Sequence, residues 1–337
     1  MRTLKVNLGE KSYNILIEKG IIKQVGQYVK ANKTVVITDN NVNHYYGEQV
    51  ISTIDGNVKK LVLPAGEETK SLDSLKYVYN FLLDFKITRD DLIIALGGGV
   101  IGDLSGFAAA TVLRGVRYIQ IPTSLLAQVD SSIGGKVAVN SDYGKNLIGA
   151  FYQPKLVLID PDCLATLDKR FFSDGMAEVI KYGCIYDKDL FDIVEAGCID
   201  EKIDEIIERC CNIKRQVVEK DEFDTGERML LNFGHTIGHA VENHYNYQKY
   251  SHGEAVAIGM YNICVLGEKM GITAPGTADR VKQVLIKYNL PFRLDIGMEK
   301  LSDAIALDKK SQGENINLIL LKDIGSAIRK KDRRTLL

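Results

Sequence analysis

The run Asp91-Leu-Ile-Ile-Ala-Leu96 passes without a polar break into Gly97-Gly-Gly-Val-Ile-Gly102. An apolar run of this length reads as a buried strand, and glycines at its end followed by a helical pattern demand a tight strand-to-helix turn. Glycines there permit positive backbone angles. They also let backbone N–H groups at a helix N-terminus approach a pyrophosphate. The G-x-G-x-x-G pattern alone equally describes an ordinary tight turn, so its surroundings decide. Residues 34–38, 60–63, 118–121 and 156–159 are further short apolar runs, with helical stretches such as 72–85 between them. That alternation predicts a parallel sheet covered by helices.

Beyond about residue 160 the texture changes. Apolar residues recur at helical spacing over 174–216, 227–245 and 253–270, and the only late strand candidates are 316–321 and a short successor near Ala327. The expected fold class is α/β, an N-terminal variant Rossmann-like parallel-sheet domain (1–160) with a mostly α-helical C-terminal metal-binding domain (161–337). It is a variant because two strands precede the one that carries the glycines, whereas the usual motif follows the first strand. The acidic residue that grips a ribose is then sought at Asp39, which ends an earlier strand. With no linker or repeat between the halves, a cleft between them is the default ligand site.

Lys plus Arg (43) nearly balance Asp plus Glu (44), so nothing global points to nucleic acid or membrane. No window is long and apolar enough to cross a bilayer, and the first residues lack the apolar core of a secretion signal. The six cysteines form no C-x-x-C pair or disulfide framework. Buried free thiols and a cytoplasmic home are expected.

Four of the five histidines fall between 235 and 252, in Leu231-Asn-Phe-Gly-His-Thr-Ile-Gly-His239 and Ser251-His-Gly-Glu254. His235 and His239 share a helix face. Glu178 lies in the run Met176-Ala-Glu-Val-Ile-Lys181. A catalytic zinc takes three such ligands and keeps a position open, and spacing alone leaves open which three bind. No cysteine accompanies them, which favours a catalytic over a structural metal. Lys136, Lys145, Lys181, Lys214, Arg215, Arg228 and the pair Lys309-Lys310 stand beside small or polar residues. They suggest a small substrate with more than one anionic group.

Asp130-Ser-Ser-Ile-Gly-Gly-Lys136, Gly144-Lys-Asn146, Met176-Ala-Glu-Val-Ile-Lys-Tyr-Gly183, the histidine run 231–239 and His252-Gly-Glu-Ala-Val-Ala-Ile-Gly-Met260 together closely resemble the 3-dehydroquinate synthase family. The resemblance runs from the glycine loop to Lys310. Ser124 after Pro122-Thr123, and Val137-Ala138, depart from it without removing a charged or metal-binding group. It implies an NAD- and metal-dependent cyclase, usually a homodimer. Such an enzyme converts 3-deoxy-D-arabino-heptulosonate 7-phosphate to 3-dehydroquinate and phosphate by transient oxidation, β-elimination, re-reduction and intramolecular aldol closure.

The resemblance implies Glu178, His235 and His252 as ligands of one divalent metal, zinc or cobalt. It places Asp130, Lys136, Asn146, Lys181, Lys214, Arg228, Asn232, His239 and one of Lys309 or Lys310 around the substrate. Asp39, Glu67, Lys70, Gly98, Gly99, Asp103, Thr123, Ser124, Lys145 and Thr166 would contact NAD. A polyol dehydrogenase explains the glycines and histidines but leaves the cationic residues idle. A sister sugar-phosphate cyclase acts on substrates lacking the carboxylate that Arg228 and Asn232 suit. A non-catalytic NAD-binding protein would more naturally have lost a ligand.

Overall fold

The computed structural model describes residues 1–294 and 315–333. Two compact units emerge, one of residues 1–168 with 210–219, the other of residues 169–209 with the described residues from 220 onward.

In the first unit, strands β1 (Arg2–Val6), β2 (Tyr13–Ile17), β3 (Lys33–Asp39), β4 (Asn57–Leu63), β5 (Leu92–Gly97), β6 (Arg117–Pro122), β7 (Lys136–Ser141), β8 (Gly144–Phe151) and β9 (Leu156–Ile159) alternate with helices. They include helix α1 (Leu72–Asp84) and helix α2 (Gly99–Thr111). Seven strands form one sheet in the order β1-β2-β9-β6-β5-β3-β4. Only the β1–β2 pair is antiparallel.

The expected strands are therefore present, and their composition explains why. All six residues of β5 are buried, as a strand covered on both faces requires. Ile93 and Ala95 face one core with Leu104, Phe107 and Ala108 of α2. Leu92, Ile94 and Leu96 face the other, with Ile21, Val25 and Val50. The period of two thus splits one apolar run between two cores.

The hairpin β7–β8 was not anticipated. Its strands pair antiparallel outside the main sheet, with Val137 and Val139 buried in the core that contains α2. Gly106 leaves room for it, since a Cβ there would stand 2.5 Å from Val137 Cγ1.

The second unit is mostly helical: α3 (Lys169–Ile185), α4 (Lys188–Ala196), α5 (Ile199–Lys220, whose residues 210–219 group with the first unit), α6 (His235–His244), α7 (His252–Lys269) and α8 (Thr277–Lys287). A hairpin of β10 (Asn315–Asp323) and β11 (Ser326–Arg333) completes it. Helix α7 is buried along most of its length, and α3 and α6 pack against it.

Asp160 is a structural carboxylate of the first unit. It is fully buried, and it accepts from the backbone N–H groups of Gly20 (3.0 Å), Ile22 (3.1 Å) and Asp162 (3.0 Å). Removing it strands one buried and two part-buried donors. Asp160→Ala should lower the unfolding free energy of this unit by about 3 kcal/mol in equilibrium urea denaturation. A loss below about 1 kcal/mol would mean that water takes over these bonds.

Candidate active site

Because β3, β4, β5, β6 and β9 run parallel, their C-terminal ends share one sheet edge, the usual ligand edge of an open α/β sheet. The residues expected to contact NAD follow those ends. Asp39 ends β3, where Oδ1 accepts from the N–H groups of Asn41 (2.9 Å) and Val42 (3.0 Å). Glu67 and Lys70 follow β4. Gly98 caps the N-terminus of α2, and Gly99 is its first residue. Thr123, whose N–H donates to the Gly97 carbonyl (3.0 Å), and Ser124 follow β6. Thr166 follows β9 and shares a hydrogen bond with the Tyr46 hydroxyl (2.7 Å).

The glycines serve close approach alone. None of Gly97, Gly98, Gly99 and Gly102 has a positive φ, so the freedom that glycine offers there is not used. A Cβ on Gly97 would sit 2.8 Å from the Ile101 Cβ, and one on Gly102 2.7 Å from Gln120 Oε1. On Gly98 a Cβ would stand 3.3 Å from Ser124 Oγ, filling a cradle at the end of a thirteen-residue helix. Backbone donors at such an end suit a pyrophosphate.

Beside this edge, Lys70 Nζ contacts Asp103 Oδ2 at 2.5 Å. Burial raises the Asp103 pKa, and Lys70 opposes that rise. Asn140 of β7, which sequence reasoning missed, ties three candidates together. Its side chain donates to Glu67 Oε1 (2.8 Å), accepts from the Asn146 N–H (3.0 Å), and its own N–H donates to the Lys70 carbonyl (2.8 Å). Asn146 is exposed with φ +59, half-buried Lys145 precedes it, and Lys136 is exposed at the start of β7. Lys214, buried on α5, donates to the Asp130 carbonyl (2.9 Å) and pairs with its carboxylate.

In the second unit, Glu178 and Lys181 are one turn apart on α3, each 2% exposed and in contact. Glu178 Oε1 lies 3.6 Å from His235 Nε2 and 3.7 Å from His252 Nε2. One ligand atom from each of these three residues falls within 4.8 Å of the others. Neither Glu178 oxygen makes a hydrogen bond of ordinary geometry, although both face cationic or imidazole nitrogens. A buried carboxylate in that condition, with two imidazoles beside it, fits a divalent metal of the zinc type.

His235 is held neutral: burial, then Lys181, His252 and His239, push its pKa well below the usual value. A neutral imidazole is what a metal requires. Burial also works to lower His252, but Glu178 and Glu242 outweigh it and raise the pKa to about 10. His239 is exposed on the same helix, its ring centroid 5.4 Å from that of His235.

Three helices converge here because glycines let them. A Cβ on Gly259 would lie 1.9 Å from the Gly234 carbonyl oxygen, one on Gly253 2.2 Å from that of Asp174, and one on Gly238 3.1 Å from Ala255 backbone. Gly234 itself has φ +79, a left-handed turn that starts α6 at His235. His252 is placed by a capping box of Ser251 and Glu254. Arg170 holds that Glu254 with two bonds (3.1 and 3.0 Å).

Arg228 is 2% exposed and donates to the Glu222 carbonyl (2.7 Å). Its loop is shaped by Asp221, another residue the sequence did not announce, which accepts from the N–H groups of Thr225 (2.9 Å), Gly226 (2.7 Å) and Arg228 (3.1 Å). Asn232 is exposed at the end of the following turn. Lys309 and Lys310 lie outside the described residues.

Two expectations follow. Gly259→Ala should part α6 from α7 and weaken zinc or cobalt binding roughly tenfold or more, measured by chelator competition on folded protein. Unchanged affinity would show that the helices adjust without moving the histidines. For Asp221, burial raises the pKa, but the three backbone donors outweigh it and the net shift is downward. Its stabilising contribution is therefore full above the unfolded value, about 3.9, and is lost as pH falls through the lower folded one. Amide exchange protection at Gly226 and Arg228 should fade there in acid, and Asp221→Asn should abolish that pH dependence. Equal protection profiles for the two proteins would refute it.

Family models described as the 3-dehydroquinate synthase N-terminal and C-terminal domains match residues 60–174 and 175–311. A 3-dehydroquinate synthase of Clostridium botulinum is 56% identical over 98% of both chains. Among solved structures, a 2-epi-5-epi-valiolone synthase from Streptomyces hygroscopicus with NAD+ and Zn2+ bound has a TM-score of 0.89 at 27% identity, covering 98% of this chain and 96% of its own. A 2-deoxy-scyllo-inosose synthase complexed with carbaglucose-6-phosphate, NAD+ and Co2+ has a TM-score of 0.87 at 25% identity, covering 99% and 98%. With matched models spanning most of its length and a relative at more than half identity, the chain belongs to the 3-dehydroquinate synthase family.

Proposed function

We propose that the chain converts 3-deoxy-D-arabino-heptulosonate 7-phosphate to 3-dehydroquinate and phosphate, using NAD and one divalent metal ion, zinc or cobalt. Family membership over nearly the whole chain supports the activity. One observation carries the chemistry: a buried carboxylate, two imidazoles and a buried ammonium group converge in the helical unit. In this reading residues 1–160 are the NAD-binding domain and 161–337 the metal- and substrate-binding domain. Asp39, Glu67, Lys70, Gly98, Gly99, Asp103, Thr123, Ser124, Lys145 and Thr166 hold NAD, and Glu178, His235 and His252 hold the metal. When bound, the two groups supply a reversible hydride acceptor and a charge that orients and acidifies neighbouring hydroxyls.

The remaining residues bind and orient. Arg228 suits a planar carboxylate with two parallel bonds, and Lys136 and Lys181 suit phosphate as point charges. Asp130 and Lys214 act as a pair, and Asn146, Asn232 and His239 are hydrogen-bonding partners for hydroxyls. The departing phosphate serves as its own base, so the side chains contribute proximity more than proton abstraction. The six free cysteines, five of them buried, support a cytoplasmic protein. The family resemblance supports a homodimer.

The test is phosphate release from the heptulosonate phosphate with NAD omitted, with NAD, and with NAD after chelation. Phosphate should appear only when NAD and metal are both present, without net accumulation of reduced NAD. Steady reduced NAD without phosphate would instead mark a dehydrogenase. Inactivity here but turnover of a sugar phosphate lacking the carboxylate would mark a sister cyclase.

A further inference from the structure

We propose that Glu242 is a positioning residue for the metal centre, its carboxylate holding the Nδ1–H of His252 so that Nε2 is presented to the cation. The inference rests on the reading of Glu178, His235 and His252 as the metal ligands. Glu242 is 4% exposed on α6, seven residues after His235 and three after His239, so the three share one face of that helix. Its Oε2 lies 3.5 Å from His252 Nδ1, while His252 Nε2 lies 3.7 Å from Glu178 Oε1. The ring is thus addressed at both ends by carboxylates from two different helices.

The second imidazole shows the same logic with a weaker partner. His235 Nε2 is 3.6 Å from the same Glu178 oxygen, and its Nδ1 is 3.1 Å from the Phe233 carbonyl oxygen. In both rings the nitrogen turned from Glu178 meets an oxygen acceptor. An imidazole that gives one lone pair to a cation keeps its proton on the other nitrogen, and that proton needs an acceptor to fix tautomer and ring plane. For His235 the acceptor is a backbone carbonyl within its own turn. His252 opens α7 with its ring 35% exposed, so a carboxylate reaching across from α6 supplies both the orientation and a stronger pull on the proton. Gly238, one turn earlier on α6, permits that reach by letting the helix axes close.

The same atoms offer a second arrangement, since His239, Glu242 and His252 also bring ligand atoms within 4.8 Å of one another. A cation there and a second at Glu178 would require His252 to surrender both protons, which an imidazole resists, and His239 is exposed to solvent. The positioning role needs neither condition.

The experiment titrates cobalt into chelator-stripped full-length protein, reading stoichiometry, affinity by chelator competition, and the visible spectrum. Wild type should bind one cobalt per chain. Glu242→Gln should still bind one, about 10- to 100-fold more weakly, with an altered spectrum. Val241→Ala, which trims a buried neighbour on the same helix, should lower Tm while leaving cobalt affinity and spectrum as in wild type. A Glu242→Gln protein that behaves like Val241→Ala would reduce Glu242 to a packing role and overturn the proposal. So would two cobalt ions per wild-type chain with Glu242→Gln retaining one at full affinity, because Glu242 would then be a ligand itself. Should Glu242→Gln fail to fold, Glu242→Asp keeps the charge on a shorter arm and carries the same expectation. Glu178→Gln separates the two readings: undiminished binding there would sink the ligand assignment, whatever Glu242 does.

Discussion

The helical unit is organised around the burial of one carboxylate. Glu178 is 2% exposed in the middle of α3, where every residue from Gly175 to Ile185 is buried. An ionised carboxylate there loses several kcal/mol of hydration, and only nearby positive charge or hydrogen bonds return it. Lys181, one turn on, contacts one oxygen, and His235 and His252 face the other. None of these partners alone satisfies the group, since neither oxygen has a hydrogen bond of ordinary geometry. A dication at this point would meet that deficit more fully than an ammonium group on one side can. The folded chain therefore carries a local frustration that a metal bound there would relieve, which would couple the stability of this unit to its chemistry.

That carboxylate is useful only if imidazoles from two other helices reach it, and the constraint becomes one of backbone distance. Helices ordinarily pack 8–10 Å apart because side chains stand between them. At the α6–α7 contact Gly259 meets the Gly234 carbonyl and Gly238 meets Ala255, so the backbones themselves touch. The histidine run and the His-Gly-Glu run are thus two halves of one device, each carrying a candidate ligand and the glycines that bring the other's near. Capping by Ser251, Glu254 and Arg170 then fixes where α7 begins, and with it the position of His252.

Much of this was legible in advance, for reasons that differ by element. The strands at 34–38, 91–96, 118–121 and 156–159 were readable because a doubly covered parallel strand is a bare apolar run. Helical structure within 174–216, 227–245 and 253–270 was readable from its period, whereas α8 (Thr277–Lys287) was not read. Spacing alone could pair His235 with His239, but it could not name the trio that meets, because Glu178, His235 and His252 come from three helices and only tertiary packing joins them; the family resemblance supplied that trio. The hairpin β7–β8 escaped notice because its glycines and lysines were read for ligands, although the alternation of Val137 and Val139 and the turn Asp142-Tyr143-Gly144 were signals in plain view. Asn140, Asp221 and Glu242 escaped for a deeper reason. Each acts by holding another residue, and nothing in local sequence marks such a partner. Of the two uses that glycine permits in such a loop, this one takes close approach: crowding by Ile101 and Gln120 excludes a Cβ at Gly97 and Gly102, while the backbone angles stay negative.

A nearly neutral protein that handles a multiply anionic substrate must keep its cations poised without leaving them to repel one another. Three buried lysines stand beside counter-charges, and Arg228 beside a backbone carbonyl, that a ligand could replace. Lys181 is in contact with Glu178, Lys214 with Asp130, and Lys70 with Asp103, while Arg228 rests on the Glu222 carbonyl. All four are at most 6% exposed, so solvent screens these pairs weakly and each holds a well-defined geometry. A buried pair gives little net stability, because desolvation offsets most of the attraction. In the proposed reading its value lies in readiness: an arriving phosphate or carboxylate would exchange one anionic partner for another and need not strip a hydrated lysine. The balance of 43 basic and 44 acidic residues is therefore compatible with strong local recognition of anions, because selectivity resides in which acids stand beside which cations and not in net charge.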